Sequence, residues 1–114
     1  MIQELESIKE KYRQLTISLS DPAFISDPEK IRKIAKERVE LEPLVKKYED
    51  YQKIKKDIAE SKEILGDPRS ESELKKLAEA ELKELSQKEE RIEQELKILL
   101  LLISLFFLRQ FLEF

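Results

Sequence analysis

The sequence predicts an all-α protein, an elongated antiparallel three-helix hairpin or bundle with coiled-coil-like packing. Three observations carry that expectation. A single Gly and four Pro in 114 residues leave little material for β-hairpins or many tight turns. Charged residues make up 41% and hydrophobic ones 40%, which suits helices with solvated faces better than a large globular core. Apolar side chains also recur at spacings of three and four, the pattern of one helical stripe.

The first helix is marked by Ile2, Leu5, Ile8, Tyr12, Leu15 and Leu19. It is broken by two Ser-Asp-Pro triplets, Ser20 to Pro22 and Ser26 to Pro28, around Ala23-Phe24-Ile25. Proline lacks a backbone donor and pushes its predecessor out of the helical region, so Asp21 and Asp27 are expected to be extended or capping residues. Asp27 reads as an N-cap with Pro28 at the first helical position. Phe24 and Ile25 are expected to tuck beneath the helix ends.

The second helix is predicted over about Pro28 to Leu65, with a stripe of Ile31, Ile34, Leu41, Leu44, Tyr48, Tyr51, Ile54, Ile58 and Leu65. Pro43 removes the bond to the Val39 carbonyl at a cost of about 3 kcal/mol, and with no Gly or Asn nearby it predicts a kink rather than a stop. Gly66, in a left-handed conformation, and Pro68 are expected to end the helix. Ser70 with Glu73 reads as a capping box opening a third helix, whose stripe includes Leu74, Leu77, Leu85, Ile92, Leu96 and Leu99. Glu79 with Lys83, Glu84 with Lys88 and Glu93 with Lys97 stand in the favoured order for solvated pairs. Short connections imply antiparallel neighbours.

Composition excludes more than it includes. A net charge of -3 gives no bulk positive field toward nucleic acid or anionic membrane, so direct DNA binding is not expected. The pairs Lys46-Lys47 and Lys55-Lys56 read as solvated faces. No Cys and no His exist, and one Gly cannot build a phosphate-cradling loop, which removes the common zinc, nucleophile-base and nucleotide sites. The sequence therefore offers no catalytic, metal-binding or cofactor-binding residue, and the chain is not expected to be an enzyme. Glu89, Glu90, Glu93 and Glu95 fall on different helical faces among Lys and Arg. Tyr48 and Tyr51 could stack on bases, although a lone aromatic pair at helical spacing reads first as packing. The start MIQELESIKEKY lacks the layout of a signal peptide, and a cytoplasmic setting fits.

The run LSDPAFISDPEKIRK, Leu19 to Lys33, and ELEPLVKKYEDY, Glu40 to Tyr51, carry a family resemblance. From Leu5 to about Leu101 the chain resembles the N-terminal helical domain of bacterial peptide chain release factor 1. The resemblance implies a role in translation termination on the ribosome, with docking toward the stalk base and contact with the stalk protein and the recycling GTPase. In that family a Pro-any-Thr tripeptide reads stop codons and a Gly-Gly-Gln tripeptide serves peptidyl-tRNA hydrolysis. Neither occurs here: Pro22, Pro28, Pro43 and Pro68 are followed two residues on by Phe24, Lys30, Val45 and Ser70. The domain is expected to occupy residues 1–101.

Residues 102–114 form a hydrophobic tail that departs from the family, whose pattern continues with a polar, proline-containing connection. A truncated or frameshifted gene is expected, with an expressed fragment as the plain alternative. The rival class is a structural coiled-coil adaptor with a membrane-associating tail. Ile98 to Leu108 is uncharged but spans only about 16 Å as helix, against a hydrocarbon core of about 30 Å, so membrane anchoring is disfavoured. Self-association through the exposed apolar tail is the expected alternative, and cutting after Leu101 is expected to preserve helicity.

Overall fold

The structure, a computed structural model, describes residues 1–112. Helix α1 runs Ile2–Ser18, α2 Pro22–Ile25, α3 Pro28–Gly66 and α4 Ser72–Leu112. Among the described residues there is no strand. The long axis of 62 Å follows from α3, whose 39 residues span about 58 Å at 1.5 Å per residue.

The two long helices are antiparallel, as their ties show. Lys47 meets Glu95 at 2.7 Å and Tyr51 meets Glu93 at 2.7 Å, so residue numbers rise along one helix as they fall along the other. Helix α1 lies antiparallel to α3, with Glu6 accepting from the Tyr48 hydroxyl and Thr16 meeting Arg38 at 2.9 Å. The molecule is therefore a three-helix bundle only where α1 reaches. Leu5, Leu41, Leu44, Tyr48, Tyr51, Leu96 and Ile103 form the core there. Beyond it, α3 and α4 continue as a two-helix hairpin closed by Ile58, Ser61, Ala78 and Leu85.

The proline signals largely place the first half. Asp21 accepts from the Ala23 N–H at 2.9 Å and Asp27 from the Lys30 N–H at 3.3 Å, each with proline next in sequence. The Pro22 to Ile25 segment, expected only as a break, forms a one-turn helix because Asp21 caps it. Phe24 is half-buried, but Ile25 is exposed rather than tucked in. Helix α3 runs through Pro43 without ending, as expected.

Three expectations fail for identifiable reasons. Gly66 does not take a positive φ and closes α3 as a helical residue. The stop is supplied by Asp67, which is extended and accepts from the Arg69 N–H at 2.9 Å, while the Ser70 N–H bonds the Asp67 carbonyl at 3.1 Å. That Asx-type turn uses Ser70 in the connection, so α4 starts at Ser72 with the Glu71 carbonyl accepting from Lys75, and not at a Ser70–Glu73 box. Leu74 and Leu77 are exposed, not core, because that stretch of α4 has only α3 as a neighbour and its seam is too narrow to cover a wide stripe.

The tail is continuous with α4 as far as Leu112. Ile103 is buried in the bundle core, with Leu99, Leu100 and Phe107 packed against it. A cut after Leu101 thus removes a core residue. Glu113 and Phe114, the end of the expected tail, lie outside the described residues.

Candidate docking surface

Paired tyrosines lock α3 to both neighbours. Tyr48 and Tyr51 are one helical turn apart, so their rings lie stacked with centroids 6.5 Å apart. Both are buried at 3% exposure, which closes them to a stacking base and settles them as packing residues. Each hydroxyl reaches a carboxylate: Tyr48 donates to Glu6 on α1 and Tyr51 to Glu93 on α4. Burial, reinforced by Glu6, pushes the Tyr48 phenol up to about 12. Burial and then Glu93 raise Tyr51 as well.

The acidic group of α4 is divided among structural tasks. Glu93 serves Tyr51, Glu95 pairs with Lys47, Glu89 is half-buried and Glu90 is exposed. Among the described residues no three acidic side chains gather in a way that would hold a metal ion. Of the predicted helical pairs, Glu84 and Lys88 meet at 3.4 Å, whereas Glu93 is drawn inward. Lys46 meets Glu42 at 3.0 Å and the Lys55 ammonium lies 5.2 Å from the Tyr51 ring centre, so these basic residues have partners within the fold.

A less engaged basic surface lies at the start of α3. Lys30, Arg32, Lys33 and Lys36 border an open cleft of about 440 Å³ together with Asp27 and Glu29. A second shallow cleft of about 690 Å³ joins Phe24, Lys30, Lys33 and Ile34 to Gln110 of α4. This cluster is absent from the sequence-based expectations. Its signal, four cations within seven residues, is indistinguishable in sequence from any solvated helical face until Gln110 is brought beside it.

The described residues form an elongated helical rod that presents long charged surfaces and shallow clefts. No helix among the described residues is long and apolar enough to cross a membrane.

Residues 8–103 match the family model described as the PCRF domain, and the chain belongs to that family. Over 101 residues, 89% of this chain, it is 44% identical to peptide chain release factor 1 of Chloroherpeton thalassium and 42% identical to that of Clostridioides difficile. Identity to the Geobacter sulfurreducens peptide chain release factor 1 is 36% over the same share. The aligned stretch covers 28%, 28% and 27% of these relatives, so the chain spans little more than a quarter of their length. No solved structure matches the chain.

Proposed function

We propose that this chain is a release-factor docking domain, acting in translation termination by seating on the ribosome and not by carrying out hydrolysis. The observation that carries this reading is the PCRF match across residues 8–103, which includes all of α2 and α3 and most of α1 and α4. The stalk-base region is the proposed seat and the recycling GTPase a further contact, both following from the family resemblance. The setting is cytoplasmic. The chain is not itself an enzyme, because it holds neither a Gly-Gly-Gln nor a Pro-any-Thr tripeptide. Self-association through the apolar part of α4 accompanies docking.

Two measurements test the docking reading. Added to ribosomes programmed with a stop codon, the chain is expected to release no peptide above the no-factor rate while sedimenting with the large subunit. Loss of the decoding and hydrolytic attachments predicts weak binding, since linked sites raise overall affinity. Codon-dependent release would overturn the non-enzymatic assignment, and failure to sediment with ribosomes at saturating protein would overturn docking.

A further inference from the structure

Between Ile98 and Leu112 α4 carries apolar residues on both sides, with Arg109 as its one charge. At about 100° per residue, the core-facing set of Leu96, Leu100, Ile103 and Phe107 lies diametrically opposite Ile98, Leu102, Leu105, Leu108 and Leu112. The latter five are 53% to 72% exposed, and Leu101 on the same face is 66% exposed. Upstream on that face stand exposed Arg91 and Gln94, so the apolar stripe has a sharp beginning. A helix apolar all round belongs in an interior, and here the bundle covers only one side.

We propose that a second copy of this chain covers the stripe, the two α4 segments packing antiparallel about a twofold axis at Leu105. This rests on the self-association reading above and names its surface and geometry. The steps between Ile98, Leu102, Leu105, Leu108 and Leu112 are four, three, three and four residues, so these five positions read the same in both directions, and Leu101 is the one member of the face without an apolar mate. Antiparallel pairing centred on Leu105 therefore sets Ile98 against Leu112 and Leu102 against Leu108 of the other copy, an isologous contact that uses one patch twice. Arg109 falls opposite Leu101, where its methylene stem can cover leucine while its charge stays in water. A full Leu or Ile side chain carries roughly 60–120 Å² of apolar surface, so six at these exposures present roughly 200–450 Å² per copy. Twice that is below the roughly 1,000 Å² of a stable interface, so the dimer is transient and concentration-dependent.

The full chain should shift from monomer to dimer with rising concentration in sedimentation velocity. Leu105→Glu sets like charges together on the axis, and Leu108→Gln removes one flanking contact. Each is expected to weaken association at least tenfold with helicity unchanged, both positions being exposed. The chain has no Cys, so single cysteines report geometry with a short bismaleimide crosslinker. Leu105→Cys should crosslink with itself, and Ile98→Cys should crosslink in a mixture with Leu112→Cys but not alone. A monomer at every concentration would overturn self-association altogether. Undiminished dimerisation of both Leu105→Glu and Leu108→Gln, or efficient crosslinking of Ile98→Cys alone, would overturn this geometry while leaving self-association standing. Burial of the stripe only on adding anionic lipid vesicles would replace the second copy with a membrane surface.

Discussion

Replacing Tyr51 with Phe keeps the buried ring and deletes only the hydroxyl that donates to Glu93 at 2.7 Å. A hydrogen bond to a charged group contributes about 1.5–3 kcal/mol, and because Glu93 is half-buried it regains water, which places the cost near the lower bound. A loss of about 1.5–2 kcal/mol corresponds to a fall in melting temperature of roughly 6–8 °C at this chain length. Its pH dependence is more diagnostic. The folded-state pKa of Tyr51 is raised above its ordinary 10.0, chiefly by burial, so the unfolded chain sheds the phenolic proton first. The contribution of Tyr51 is therefore complete below about pH 10 and declines as pH rises toward the folded pKa, by about 1.4 kcal/mol per pH unit. The substituted ring has nothing to titrate. Thermal melts followed by circular dichroism should show the parent protein more stable than Tyr51→Phe at pH 7, with the gap closing above pH 10. Equal melting at pH 7 and an unchanged gap at pH 11 would refute the assignment of Tyr51 as a buried donor tying α3 to α4.

Leu96 is fully buried at the junction of the three helices, so Leu96→Ala should cost about 2–5 kcal/mol in chemical denaturation, whereas Leu77→Ala, on the exposed side of α4, should stay within about 0.5 kcal/mol. Gly66 has no positive φ, and an added Cβ would meet nothing within 4 Å, so Gly66→Ala should stabilise by about 0.4–1 kcal/mol in the same assay.

The all-helical class and the positions of α1, α3 and α4 were legible because proline and spacing act locally. Asp21 and Asp27 cap where the following proline forces the chain to turn. Gly66 does not end α3 in a left-handed conformation because Asp67 offers a turn that needs no such residue, and that turn also displaces Ser70 from the helix start. Packing was harder to read. Val45 is buried although it lies off the predicted stripe, and Leu77 is exposed although it lies on it, because the width of a covered face depends on whether α1 lies alongside. The Tyr48–Tyr51 pair packs, as its helical spacing predicts, but its partners Glu6 and Glu93 are each 42 residues away and no local pattern joins them. The basic start of α3 gained significance only once α4 returned Gln110 to its side.

Docking is tested most directly by mapping where the chain lies on the ribosome. A photo-crosslinker at Lys33, on the exposed basic start of α3, should join the full chain to the stalk-base region of the large subunit, and an intact release factor 1 should compete the product away. Crosslinks confined to other sites, or none at saturating protein, would contradict the account.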